Sequence, residues 1–165
     1  MGQKELKPRV KSESQALSSL MALCAKAERS SGDARRLMRG WGVDSSSAER
    51  VLKRLVEERF IDDSRYATLY SREKINLNGW GLSKISSGLY NKGVSREIIE
   101  QTLQDIDMDT LYEKLLTKLQ RRLTHVKYSN IYELKGKLLR YAASQGYNYS
   151  MATQAIDEIT KSIKE

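Results

Sequence analysis

The sequence predicts an all-α protein built from tandem three-helix repeats, and three observations support that prediction. The single proline, Pro8, lies near the N-terminus and leaves the rest of the chain free to be helical. Apolar residues recur at three- and four-residue steps in successive segments, which is the spacing of one face of an α-helix. Glycine follows such a segment three times, at intervals close to 50 residues.

The predicted organisation has four parts. They are a flexible basic tail at 1–13 and three-helix repeats at 14–60, 61–108 and 109–165.

The first repeat shows three helical segments. Apolar spacing predicts a helix over 16–29, and Ser30 to Asp33 then stops it and caps a second helix over 34–41. Ser46 followed by Glu49 has the form of a capping box that opens a third helix. The residues of that third helix expected to face inward are Ala48, Val51, Leu52, Leu55 and Val56.

The second and third repeats follow the same pattern. A break over 78–81 and a cap at Ser95 divide the second repeat into three helices. Its predicted inward residues are Tyr66, Ala67, Tyr70, Ile75, Leu82, Ile85, Leu89, Ile98, Ile99, Leu103 and Ile106. Those of the third are Leu111, Leu115, Leu119, Ile131, Leu134, Leu138, Leu139, Ala152, Ala155, Ile156 and Ile159.

The repeats can be superposed on Gly42, Gly93 and Gly146, each expected to end a helix in the left-handed conformation. Residues at equal offsets then match in apolar character, as in the sets Ala48, Ile99, Ala152 and Leu52, Leu103, Ile156. A period near 50 with three helices per unit is typical of a helical repeat protein. The alternative is a chance match between generic amphipathic helices, which all share the same short period.

The stretch from Phe60 to Ala67 joins the first repeat to the second. Its apolar pair is expected to anchor the connection in a core, and Asp62 or Asp63 to cap the next helix. A second block runs from Gly81 to Val94. In order and spacing the two blocks resemble the bacterial RecX family, regulators of the RecA recombinase. The motif residues, expected to be mainly structural, are Phe60, Ile61, Asp62, Asp63, Arg65, Tyr66 and Gly93.

The resemblance is best over 16–103 and fainter beyond. It implies three three-helix units in an extended, curved array. It also implies a regulatory protein that binds the RecA–DNA filament and inhibits recombinase, ATPase and co-protease activity in DNA repair and the SOS response. The implied partners are the RecA filament and, without sequence specificity, single- or double-stranded DNA, and the chain is expected to act as a monomer.

The charge distribution predicts a basic binding surface. The chain has 29 basic and 21 acidic residues, a formal charge of +8, and residues 109–140 hold eight basic residues against three acids. Such a block is typical of a surface that meets a polyanion or an acidic protein. The basic residues expected to point outward and to bind the filament or DNA are Arg35, Arg36, Arg39, Lys84, Lys92, Lys118, Arg121, Arg122, Lys127 and Lys135.

No catalytic, cofactor or metal site is predicted. His125 is the only histidine and has no metal-ligand partner at suitable spacing, and Asp62 with Asp63 lacks further ligands. Cys24 is the only cysteine and is expected to pack as a small apolar residue in a reducing, cytoplasmic environment. No apolar run long enough to cross a membrane is present.

Two other functions fit the charge pattern. The chain could be a non-specific DNA-binding helical repeat protein without a RecA partner, because basic residues along a surface can follow a phosphate backbone. It could also be a passive scaffold whose charge only aids solubility, since charge runs often mark solvated helix faces.

Overall fold

The structure, a computed structural model, describes residues 10–163, and this range is all-helical, as predicted. Residues 10–163 form nine helices and no strand. They are α1 (Glu13–Lys26), α2 (Ser31–Gly40), α3 (Ser45–Glu57), α4 (Asp63–Asn78), α5 (Leu82–Asn91), α6 (Arg96–Gln104), α7 (Met108–Leu123), α8 (Ile131–Ser144) and α9 (Tyr149–Thr160). Residues 1–9 of the predicted tail lie outside the described range.

Helix α1 begins before the apolar repeat does. The Ser12 side chain accepts a hydrogen bond from the Gln15 amide at 3.2 Å, and the Gln15 side chain accepts one from the Ser12 amide at 3.0 Å. This capping box starts the helix at Glu13 rather than at Ala16. The helix ends at Lys26, earlier than predicted, because the next residue takes an extended backbone conformation.

The predicted cap of α3 is wrong. Asp44 is the N-cap, and its side chain accepts from the amide of Ser47 at 2.9 Å. Because this cap lies two residues before Ser46, the helix has already begun where the predicted box would start it. Glu49 is therefore free of the box and pairs with Arg35 at 2.9 Å.

Contacts divide the chain into two compact units. Within the described range, unit 1 is residues 10–66 together with Lys92–Ser95. Unit 2 consists of Ala67–Asn91 and residues 96–163. The division into three repeats at the boundaries given above stays a prediction.

The core of unit 1 lies between α1, α2 and α3, where α3 packs on both other helices. The buried cluster consists of Ala16, Leu20, Ala34, Met38, Ala48, Val51, Leu52, Leu55 and Ile61. Val56, predicted to face inward, is instead 49% exposed. It follows Leu55 directly, and one step along a helix turns the side chain beyond the buried stripe.

In unit 2, α7, α8 and α9 pack against one another in pairs, and α5 packs on α6. The residues buried in the first group are Leu111, Leu115, Leu119, Leu134, Leu138, Ala142, Ala152, Ala155 and Ile156. Ile131, Leu139 and Ile159 are only partly buried, so the predicted apolar faces are right in position and somewhat too wide.

The three glycines used to superpose the repeats have left-handed backbones, as predicted. Their φ angles are 71° at Gly42, 74° at Gly93 and 93° at Gly146. After α2 the Val43 amide bonds back to Met38 O at 3.0 Å, which satisfies a carbonyl that the helix end leaves open. Tyr147 makes the equivalent bond to a carbonyl of α8 at 3.2 Å.

A close contact between two backbones fixes the loop after α5 in unit 1. A methyl group placed on Gly32 would lie 2.3 Å from Lys92 O and 2.7 Å from the Cα of Gly93. Beside it, the Ser30 hydroxyl donates to Lys92 O at 2.6 Å. Ser30 is fully buried, so this bond also satisfies a polar group removed from water.

Unit 2 contains the same kind of contact. A methyl group on Gly81 would lie 2.4 Å from the carbonyl carbon and oxygen of Gly146. The Gly81 amide donates to Gln145 O at 2.7 Å, and the Ser83 amide donates to Gly146 O at 3.1 Å. The start of one helix therefore lies directly on the glycine that ends another.

Tyr147 adds a further hydrogen bond at this junction. Its ring is 5% exposed, and its hydroxyl donates to Gly79 O at 2.9 Å. Burial raises the pKa of the Tyr147 phenol well above its ordinary value.

Within residues 10–163, none of the helices combines the length and the apolar character needed to cross a bilayer.

We expect Gly32→Ala to destabilise the fold by about 1–3 kcal/mol, at the upper end because the added methyl group meets backbone atoms. Gly40→Ala, at the end of the same helix, is the matched control because nothing lies within 4 Å of its added methyl group. The control should be neutral or stabilising by up to about 1 kcal/mol. Urea unfolding followed by circular dichroism measures both, and equal midpoints would contradict the close contact. Gly81→Ala and Gly136→Ala form the corresponding pair in unit 2, because a methyl group on Gly136 would meet only the Arg140 side chain, at an ordinary contact distance of 3.6 Å.

We expect the stability of unit 2 to fall at alkaline pH through Tyr147. Because the folded-state pKa is raised, the stabilisation is fully present below the unfolded value near 10 and is lost as pH rises through the folded value. Tyr147→Phe should cost about 1 kcal/mol at neutral pH, from the lost hydrogen bond, and should flatten the alkaline slope. Unfolding free energies measured at neutral and alkaline pH test this, and an unchanged slope in the variant would assign the alkaline loss to other groups.

Candidate functional site

The junction between α3 and α4 is built by the motif residues. Ile61 is 1% exposed and Phe60 packs against the core of unit 1. The Asp62 side chain accepts from the Arg65 amide at 3.0 Å and so caps α4. Tyr66, on the first turn of α4, is 9% exposed.

Asp63 connects the start of α4 to the start of α2. One of its carboxylate oxygens accepts from the Ser31 amide at 2.8 Å, and the other accepts from the Ser31 hydroxyl. Arg65 adds a bond to Glu28 at 2.7 Å and one to Arg59 O at 3.3 Å. These side chains are occupied within unit 1, and their arrangement positions helices rather than presenting a reactive group.

The predicted basic residues of unit 1 are mostly neutralised by carboxylates. Arg35 pairs with Glu49 at 2.9 Å. Asp33, which is nearly buried, pairs with Arg36 at 2.9 Å and with Lys92 at 3.7 Å. Arg39 is exposed on the last turn of α2, and no carboxylate of the described chain lies within ion-pair distance of it.

Three of the predicted binding residues, Lys84, Lys118 and Arg121, come together in unit 2. With Trp80 they form what we term the tryptophan cluster. The Lys84 ammonium lies 4.6 Å from the centre of the Trp80 ring. Lys118 donates to Asn78 O at 2.6 Å, which satisfies a carbonyl at the end of α4. Burial lowers the pKa of Lys118, and the positive charges of Lys84 and Arg121 lower it further. Lys118 is therefore partly structural.

Lys135 is paired within the fold. Its ammonium lies 2.8 Å from a carboxylate oxygen of Asp157. It contributes less net charge to the surface than the sequence alone suggests.

A second group of basic residues surrounds an open depression of about 510 Å³ between the end of α7, the following loop and one face of α8. We call it the basic depression. Its lining residues are Arg122, His125, Val126, Lys127, Lys137, Arg140, Tyr141 and Ser144. None of them is acidic, so the depression has a strongly positive field.

Internal contacts hold part of this lining in place. The Arg122 guanidinium lies 5.2 Å from the centre of the Tyr141 ring, an attractive cation–π arrangement. Lys137 donates to Lys127 O at 2.7 Å and pairs with Glu133 at 2.6 Å. Lys137 and the Ser129 amide together lower the pKa of Glu133 to about 2, so its carboxylate stays ionised.

The predicted site contains only two lining residues of the depression, Arg122 and Lys127. Lys137, Arg140 and Tyr141 were missed as site residues, although they stand three and four positions apart on one face of α8. That spacing was the available signal. His125, predicted to lie on the surface or to be partly packed, is exposed and lines the depression.

Metal binding and nucleophilic catalysis find little support in the described range. No group of three or more His, Cys, Asp or Glu side chains in residues 10–163 could hold a metal ion. Cys24 is partly buried, and burial raises the pKa of its thiol. The raised pKa disfavours the thiolate that nucleophilic chemistry needs.

The sequence of this chain is similar to a known protein family and to several named proteins. A family model described as the second three-helix domain of RecX matches residues 62–103. The regulatory protein RecX of Clostridium botulinum (strain Eklund 17B) is 31% identical over 119 residues, which are 71% of this chain and 55% of that protein. The regulatory protein RecX of Lactococcus lactis subsp. cremoris (strain MG1363) is 31% identical over 121 residues, 70% of this chain and 44% of its own. The chain thus spans about half the length of the curated relatives it matches.

Solved structures share the fold. The crystal structure of RecX from Lactobacillus salivarius has a TM-score of 0.78 at 21% identity and covers 90% of this chain and 97% of its own. A second crystal structure, of a regulatory protein RecX, has a TM-score of 0.75 at 24% identity and covers 88% of this chain. These likenesses confirm the prediction of a helical repeat fold.

We expect Asp63→Asn to destabilise unit 1 by about 1.5–3 kcal/mol, because an ionised acceptor of two hydrogen bonds is replaced by a neutral one. Asp109→Asn is the matched control, since Asp109 also lies in the first turn of a helix and is exposed. Its loss should stay below about 1 kcal/mol, the size of a helix-dipole interaction. Chemical unfolding measures the loss of unfolding free energy in both variants. Equal losses would contradict the structural role of Asp63.

Proposed function

This chain belongs to the RecX family, and we propose on that basis that it regulates the RecA recombinase. It would bind the RecA–DNA filament and lower ATP turnover, strand exchange and co-protease activity. The observation that carries the proposal is the family match together with the motif residues Asp62 and Asp63, which the matched range contains. The named relatives are regulatory proteins, which fits a binding role rather than catalysis.

The surface of unit 2 supplies a contact region for this role. Arg121 and Arg122 stand next to each other on the last turn of α7, and Lys127 follows in the loop. All three are exposed, and no described carboxylate lies within ion-pair distance of them. Such cations are available to an acidic protein surface or to DNA within a filament.

The second candidate is a non-specific DNA-binding protein without a RecA partner. The basic depression favours it, because its lining contains four basic side chains and no acidic one. Both candidate functions use the same basic surface. They differ in whether the protein acts through RecA or binds DNA without it.

We expect this protein to reduce ATP hydrolysis by the host's RecA on single-stranded DNA at amounts well below one per RecA. The combined variant Arg121→Gln, Arg122→Gln and Lys127→Gln should need roughly tenfold more protein for the same inhibition, because each lost charge contact weakens a shared surface by about 1 kcal/mol or less.

The matched control removes three cations that are paired along their own helices: Lys53→Gln, Arg54→Gln and Arg96→Gln. It changes the net charge by the same amount and should keep full inhibition. An absence of inhibition at saturating wild-type protein, with salt-sensitive binding to bare DNA retained, would sink the RecA proposal and leave the second candidate.

A further inference from the structure

A cavity in unit 2 shares no residue with the basic depression or with the tryptophan cluster. It has a volume of about 420 Å³ and lies between α4, the end of α6, the loop that follows and the first turn of α7. Sites for small molecules have volumes of roughly 300–1,000 Å³. The cavity is therefore large enough for a small ligand, and its lining indicates which kind.

Ser71, in the wall of this cavity, has an unsatisfied hydroxyl group. The residue is 3% exposed, and its Oγ has no hydrogen-bond partner within the described part of the chain. The other buried serine and threonine hydroxyls of that range, those of Ser30, Thr102 and Thr160, each donate to a backbone carbonyl at 2.6 or 2.7 Å. A buried polar group without a partner costs free energy. Because the Ser71 hydroxyl turns between staggered positions about a single bond, a ligand in the cavity can supply the missing partner.

Two opposite charges line the same cavity without pairing. Arg72 belongs to α4 and Asp105 to the loop after α6, and both side chains are exposed. No side chain of opposite charge in residues 10–163 lies within ion-pair distance of either. Asp107, another acid of the lining, caps α7 and accepts from the Thr110 amide at 3.1 Å. Arg72 and Asp105 are therefore the lining charges that remain open to a ligand.

Apolar side chains accompany these charges in the lining. Ile75 is 6% exposed and Ile106 is partly buried. A nucleic acid does not suit this cavity, because its phosphates would meet two carboxylates and a single cation. A molecule that carries both charges and an apolar group is complementary to the lining.

We propose that this cavity binds a free α-amino acid with an apolar side chain. The Arg72 guanidinium pairs with the ligand's carboxylate, since a planar guanidinium can donate two parallel hydrogen bonds to such a group. The Asp105 carboxylate accepts from the ligand's ammonium, and the Ser71 hydroxyl donates to the ligand's carboxylate. The ligand's side chain packs on Ile75 and Ile106. This inference goes beyond the proposed function, and binding requires neither RecA nor DNA.

Isothermal titration calorimetry of the full chain with L-leucine, L-isoleucine and L-methionine tests the site. The titrations are made at about pH 6, where a free α-amino group is charged. At least one of the three should bind. Its N-acetyl derivative lacks the positive charge and its carboxamide lacks the negative charge. Each derivative should bind roughly tenfold more weakly, because it loses one charge-assisted hydrogen bond.

Single substitutions assign each charge to its partner. Arg72→Gln should weaken binding of the amino acid roughly tenfold and should bind the amino acid and its carboxamide alike, because the ligand's carboxylate has lost its partner. For the same reason Asp105→Asn should bind the amino acid and its N-acetyl derivative alike. Arg96→Gln and Asp109→Asn make the same charge changes outside the cavity and should match the wild type.

The variant Ser71→Ala guards against loss through misfolding. It removes the unsatisfied hydroxyl, so the ligand-free variant should unfold at the same urea concentration as the wild type or at a higher one. Its affinity for the amino acid should nevertheless fall several-fold, because the ligand's carboxylate loses a donor.

Three results would overturn the assignment. They are an absence of binding by all three amino acids, equal affinity for the amino acid and both derivatives, and wild-type affinity in Arg72→Gln, Asp105→Asn or Ser71→Ala. Because the titrations contain no RecA, such a failure would leave the proposed function unaffected.

Discussion

The constraint on which the structure depends is a contact between two backbones at a glycine, and it occurs twice. Gly32 lies on the loop at Gly93, and Gly81 lies on Gly146, at distances that leave no room for a side chain. Gly93 and Gly146 also end α5 and α8 in the left-handed conformation. One residue type thus ends a helix and admits the start of another, for two physical reasons: positive φ and the absence of a Cβ atom. This is why Lys92–Ser95 belongs to unit 1.

The motif residues reinforce the same junction with charge. Asp63 holds the first turn of α2, and Lys92 reaches Asp33 in that helix. Because Asp33 and Ser30 are buried, their partners must be present for the contact to form without an unsatisfied polar group. The motif stretch from Phe60 to Ala67 is therefore explained by its structural role, because it positions α2. The proposed binding residues lie on other surfaces.

The sequence predicted the helices, their buried faces and the three helix-ending glycines, because these depend on local spacing and on backbone conformation. It did not predict that Asp44 rather than Ser46 caps α3, since both residues suit the position and only packing chooses between them. In the candidate site, counting charges located the basic block at 109–140. Counting could not show that Asp157, 22 residues beyond Lys135, neutralises that lysine, because the contact forms only once α8 packs on α9.

The fold therefore sorts its cations into two classes with different uses. Arg35, Arg36 and Lys135 have carboxylate partners, and exposed pairs of that kind add at most about 1 kcal/mol each. Arg121 and Arg122 are consecutive, so the helical turn of about 100° between them directs one to the tryptophan cluster and the other to the basic depression. Unpaired exposed cations contribute little to folding and bring mutual repulsion. At the end of α7 the helix dipole favours both arginines by a modest amount, whereas Lys127 in the loop and Arg140 within α8 have no such explanation.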